Sequence, residues 1–154
     1  MRHDRANNNV VYAHNLANEY TAVGAQSVYY DAAGNLTADH RGYTYYYDYE
    51  NHLTQIKEGT SVVAAYTYDA LSRRVEKAAG GVTTRYYYDS GWRVLTEVED
   101  DGVNLLQRDW TWGNYLDEAL VMTVDDGTTR ADSYFGHDHL YSICLLYTSP
   151  SPRD

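Results

Sequence analysis

Cations, cysteine, proline and long apolar runs are all scarce in this chain of 154 residues, and each shortage excludes something. The one cysteine, Cys144, excludes an intrachain disulfide framework and any cysteine-based structural zinc site. Twelve Lys and Arg stand against 22 Asp and Glu, a net charge of -10 at pH 7, so the basic clusters that grip a phosphate backbone are missing. We expect no nucleic-acid partner. No run approaches 18 apolar residues, so no transmembrane helix is expected. The opening Met1-Arg2-His3-Asp4-Arg5 has no apolar core of a signal peptide. There is one Phe, yet 18 Tyr. Much of the apolar bulk therefore carries a hydroxyl, which fits a mean hydropathy of -0.62. Tyrosine favours strands, and helical periodicity is weak, so the composition points to β structure. The length allows one domain or part of a larger one.

Self-similarity gives the organisation. Tyr-Asp doublets occur at Tyr30-Asp31, Tyr47-Asp48, Tyr68-Asp69 and Tyr88-Asp89, at steps of 17, 21 and 20 residues. A β-forming residue precedes each by two positions, and Leu36, Leu53, Val75 or Val94 follows the Asp by five or six. A weaker copy is Tyr12-Ala13-His14-Asn15-Leu16. In Tyr43-Thr44-Tyr45-Tyr46-Tyr47-Asp48 the odd-numbered tyrosines share one strand face. The Asp then begins a turn, where its carboxylate accepts backbone N–H bonds two or three residues on, so the repeated Asp reads as turn chemistry rather than catalysis. Gly34-Asn35, Glu58-Gly59, Gly80-Gly81, Asp101-Gly102 and Asp126-Gly127 mark further turns. The spacing predicts strands at 43–49, 53–58, 61–69, 73–78, 82–89, 92–99, 103–111, 119–125 and 128–135, and a short helical turn at 115–120. The expected fold is all-β, an antiparallel meander of hairpins that grows by adding units. Open strand edges in such an array predict aggregation of the isolated segment.

Tyr30-Asp31-Ala32-Ala33-Gly34-Asn35-Leu36-Thr37, Tyr47-Asp48-Tyr49-Glu50-Asn51-His52-Leu53-Thr54 and Tyr68-Asp69-Ala70-Leu71-Ser72-Arg73-Arg74-Val75 resemble the repeat unit of the Rhs/YD-repeat family. Asn51 and Ser72 stand where that unit usually has glycine. Asp138-His139-Leu140 resembles the opening of the Rhs-associated core. On this resemblance residues 8–133 are repeats and 134–142 the truncated start of the core. Residues 143–154 look like translated sequencing-adapter sequence, a non-native tail, the other reading being a genuine short tail. The resemblance implies a section of a spiral β-sheet shell that encloses and delivers a C-terminal toxin effector. It implies neighbouring repeats, the core and the effector as partners, and a secreted or cell-surface location. The family's self-cleavage aspartates lie downstream in the core, so no catalytic residue is carried over.

Other chemistry has little support in the residues. His137-Asp138-His139 offers metal-ligand types, but no third and fourth ligand at a recognisable spacing, so neither metal nor cofactor is expected. The acidic run Glu97-Val98-Glu99-Asp100-Asp101-Gly102 lacks calcium-loop spacing and reads as a solvated hairpin tip. No serine sits in a nucleophile elbow, and no enzyme activity is expected. The aromatic residues leave two readings open. Trp92, Trp110 and Trp112 are candidate glycan contacts of a cell-surface binding module, or they pack across strands.

Overall fold

The computed structural model describes residues 2–3, 9–115, 118–139 and 142–148. Among these the chain is strand and turn, with no helix. It forms two compact units, Met1–Tyr66 and Thr67–Asp154.

In the first unit β1 (Arg2–His3) pairs with β2 (Asn9–Val10), and β3 (Tyr12–His14), β4 (Tyr20–Val23) and β5 (Gln26–Ser27) form a three-stranded antiparallel sheet. A meander follows: β6 (Tyr29–Tyr30), β7 (Leu36–Ala38), β8 (Tyr43–Tyr47), β9 (Leu53–Glu58) and β10 (Ser61–Tyr68), each antiparallel to the next. The second unit is a longer meander of β11 (Arg74–Ala79), β12 (Val82–Tyr88), β13 (Val94–Asp100), β14 (Leu105–Trp112), β15 (Ala119–Asp125), β16 (Arg130–His137) and β17 (Ile143–Thr148). From β8 to β16 every expected strand is present within two residues at each end. Of the segment 115–120, which could have been a helical turn, the described residues 118–120 are not helical. Ala119 and Leu120 already belong to β15, because Ala119 pairs with Trp112 and ladder pairing prevails over a weak local helix signal. Leu116 and Asp117 lie outside the described residues.

Turns differ between the two ends of the strands in the second unit. Gly80 and Gly81 alone connect Ala79 to Val82, with φ of +61° and +82°. That pair of left-handed residues is what a two-residue hairpin with the right twist demands. Asp101 closes the β13–β14 loop by accepting from the N–H groups of Val103 and Asn104, and Asp126 closes the β15–β16 loop from Thr128 and Thr129. At the opposite ends sit five-residue turns, described below, and beside them a recurring irregularity. Tyr87 pairs with Thr96 but Tyr88 with Val94, leaving Leu95 as an extra residue. The same one-residue bulge falls at Thr21, Thr37, Thr54, Leu120 and Cys144. Bulges of this kind bend a strand and add twist, so each hairpin carries a built-in kink at one place.

The core is thin. Among the described residues only Ala64 and Ala119 are buried apolar side chains, with Thr84 and Ser133 beside them in burial. Tyr45, Tyr47, Tyr86 and Tyr88 are half-buried, while Tyr46 and Tyr87 between them are exposed. Alternation thus sorts the tyrosines as the pattern predicted, but within a sheet whose apolar face is only partly covered.

Candidate functional site

Each Tyr-Asp doublet ends a strand and starts the same turn. In the turn 89–93, Asp89 Oδ1 accepts from the N–H groups of Gly91 and Arg93 at 2.7 and 2.9 Å, and Asp89 N donates to the Arg93 carbonyl at 2.9 Å. Asp89 Oδ2 takes Arg93 Nε at 2.9 Å. Asp69 holds Leu71 and Arg73 in the same way, Asp48 holds Glu50 and His52, and Asp31 holds Ala33 and Asn35. The fifth residue is clamped through its side chain as well: Arg73 at 2.7 Å, Asn35 at 3.0 Å, and His52 Nδ1 at 3.0 Å. The fourth residue is left-handed in each, namely Gly34, Asn51, Ser72 and Trp92. Asn51 and Ser72 therefore fill the glycine position of the turn itself. Hydrogen bonds from Asn35, its side chain foremost, hold the Asp31 carboxyl below its ordinary range, and those from Arg93, its backbone foremost, do so for Asp89.

Two further turns of this type, at Asn15 and Asp39, carry no Tyr-Asp doublet, and Asp138 makes the same closing bond with Ser142. Asn15 accepts from Ala17 and Glu19, and Asp39 from Arg41 and Tyr43. The tyrosine is thus dispensable to the turn. The signal for it is an Asx residue with a fourth residue able to take positive φ, which Asp39-His40-Arg41-Gly42 supplies. Of the core-start motif, Asp138 makes that closing bond, His139 is exposed beside it, and Leu140 lies outside the described residues.

The clamped side chains also reach outward. Arg73 Nη1 donates to the Asp89 carbonyl at 3.2 Å, and Arg93 Nη1 donates to the Gly113 carbonyl at 3.1 Å. Successive turns on that rim of the second unit are tied by arginine. In the first unit Asn35 Nδ2 donates to Asn51 Oδ1 at 2.7 Å. A lysine cannot hold a carboxylate and a distant carbonyl with one fork, so Arg93→Lys is expected to lower stability by about 1 kcal/mol in urea unfolding. An unchanged midpoint would show the tie to be idle.

The three tryptophans meet in a cleft of about 610 Å³ at this rim, between the 89–93 turn and the loop after β14. Trp92, Trp110, Trp112, Tyr115, Glu97 and Arg93 are among its lining residues. Trp110 stacks on Trp112 at 6.1 Å and on Phe135 at 5.9 Å. Trp112 Nε1 donates to the Val94 carbonyl at 2.7 Å, whereas Trp110 Nε1 is buried without a partner. Trp110 and Trp112 stack along β14 and Trp110 also packs against Phe135 of β16, while Trp92, 56% exposed, lines the cleft. Glu97 and Tyr115 were not legible as members. Asp48, Glu50 and His52 place three ligand-type atoms within 4.8 Å of one another, but the turn's own hydrogen bonds account for their proximity.

No protein-family model matches the chain. Its sequence does match curated bacterial proteins. The tRNA3(Ser)-specific nuclease WapA of Bacillus spizizenii is 34% identical over 153 residues, which takes in 97% of this chain. The chain is similar to a part of the WapA nucleases. The tRNA nuclease WapA of Bacillus subtilis is 34% identical over 114 residues, 72% of the chain, and the tRNA(Glu)-specific nuclease WapA of Bacillus subtilis subsp. natto 36% identical over 102 residues, 64% of it. The chain spans only 6%, 5% and 4% of the lengths of these WapA proteins.

Proposed function

We propose that this chain is a wall segment of Rhs/YD-repeat type in a much longer protein that carries a nuclease effector, and that its work is enclosure rather than catalysis. The supporting observation is the clamp turn, used six times among the described residues and tied along one rim by Arg73 and Arg93. The Asp carboxylates of the Tyr-Asp doublets are all committed to backbone N–H groups and a neighbouring side chain, so the geometry that would look like a row of acids is a row of corners. Ladder hydrogen bonds join neighbouring hairpins, half-buried tyrosines stiffen the sheet, and its incompletely covered apolar face suits contact with the rest of the parent chain and with cargo. The similarity to tRNA nucleases over nearly the whole chain, at a few per cent of their length, supports a carrier that contains none of the cleaving residues.

The test is direct. The purified chain incubated with total tRNA is expected to leave it intact, and in a gel shift at 0.15 M salt its net charge of -10 is expected to prevent complex formation. Cleavage of tRNA that tracks the purified chain and is abolished by a point substitution would replace this reading with a catalytic one.

A further inference from the structure

We propose that the cleft beside the 89–93 turn seats the guanidinium or ammonium group of an arginine or lysine from a basic polypeptide segment. The identity of that segment as part of the carried effector rests on the function proposed above.

Three observations converge on a cationic occupant. The first is composition. Indole and phenol rings of Trp92, Trp110, Trp112 and Tyr115 line the cleft together with the Glu97 carboxylate and with Arg93, whose guanidinium charge is already balanced by Asp89 at 2.9 Å. Aromatic faces are electron-rich and attract a cation, and a carboxylate beside them completes the charge balance. Arg108 makes its close contact with Glu99 at 2.8 Å and lies 3.9 Å from Glu97, so Glu97 is the less engaged of the two acids.

The second is strain. Trp92 has φ of +71° at a position where other turns place Gly34, Gly42, Asn51 or Ser72. A bulky side chain in that region is an outlier, and its energy is recovered only if the ring is used. Packing does not use it fully, since Trp92 is more than half exposed. The chain's own habit shows what such rings do: Arg73 stands 5.8 Å from the Trp92 centroid and 5.1 Å from that of Tyr88, and Lys57 stands 4.8 Å from Tyr46.

The third is charge. An effector that acts on tRNA must itself be basic to neutralise phosphates, and this chain carries a net charge of -10. A sugar is the poorer fit. Two of the lining donors are not available to hydroxyl groups, since Trp112 Nε1 is spent on Val94 and Arg93 on Asp89 and Gly113, and the acceptor that remains, Glu97, is a full negative charge that a cation meets better than a neutral hydroxyl.

The experiment titrates the whole chain with the capped heptapeptide Gly-Arg-Gly-Arg-Gly-Arg-Gly at 0.15 M salt, reading indole fluorescence, and measures the thermal midpoint of every variant. Trp92→Gly is expected to weaken binding about tenfold while the midpoint holds or rises, because glycine relieves the left-handed strain. Glu97→Gln is expected to weaken it by a similar factor with the midpoint unchanged. Glu58→Gln, an exposed acid outside the cleft, serves as the control and is expected to bind as the parent does. Equal affinity across all four proteins, or no binding by any, would overturn the proposal, the first by showing attraction to net charge alone. Trp92-dependent binding of maltohexaose in preference to the peptide would overturn it in favour of a glycan. None of these outcomes bears on tRNA cleavage, so the wall reading stands or falls separately.

Discussion

Acidification below pH 3.8 is expected to cost the chain strand structure as the turn carboxyls take up protons and release their hydrogen bonds. Asp31, Asp39, Asp48, Asp69 and Asp89 all have carboxyls held below the ordinary value of 3.8. At Asp39, Asp48 and Asp69 desolvation pushes the other way and is outweighed by backbone and side-chain hydrogen bonds to the turn. The sign follows from proton uptake. The unfolded chain binds protons more readily than the folded one, so the stability from these groups is complete above their ordinary value and is lost as pH falls through the lower folded values. Far-ultraviolet circular dichroism between pH 7 and 2 is expected to show a steep loss of strand signal at the acid end. A variant with asparagine at 31, 48, 69 and 89 keeps the acceptor oxygen and loses the charge. Its acid transition is expected to be shallower, and a transition superimposable on the parent's would show that the clamps do not set acid stability.

The largest single-site effect is expected at Trp110. Truncation to alanine removes both of its ring stacks, on Trp112 and on Phe135, and opens the floor of the cleft. Deleting a large aromatic from a packed site costs about 3–5 kcal/mol, and the partial exposure of Trp110 brings the expected loss to about 2–3 kcal/mol. Urea unfolding of Trp110→Ala measures it. With so thin a core the second unit has little to compensate, so a loss under about 1 kcal/mol would mean that the aromatic cluster contributes contact without stability.

The strands were legible because two independent signals agreed. Alternating tyrosines fixed the face, and Asp-Gly or Gly-Gly pairs fixed the ends, as at Gly80-Gly81. The clamp turns are legible where the doublet announces them, only weakly at Asn15 and not at Asp39, because the tyrosine is a visible mark while the turn itself requires only the Asx side chain and a left-handed fourth residue. The bulges were not legible at all. Leu95 and Thr54 look like ordinary strand residues, and their extra position is set by how a five-residue turn meets a two-stranded ladder. The cleft was half legible. The tryptophans are legible, but Glu97 joins them only through cross-strand register and Tyr115 only through the path of the loop after β14, which no local pattern records.

The two rims of the second unit also differ in what they permit. Arginine bridges run from Asp69 through Asp89 to Gly113 on one rim, whereas the tips at Gly80-Gly81, Asp101–Asn104 and Asp126–Thr129 on the other close only on themselves. Inserting residues at a stitched corner would break a seam shared with its neighbour, while lengthening a free tip disturbs one hairpin alone. Variation in length among such arrays should therefore gather on the unstitched margin, and it is there that a protease would make its first cut.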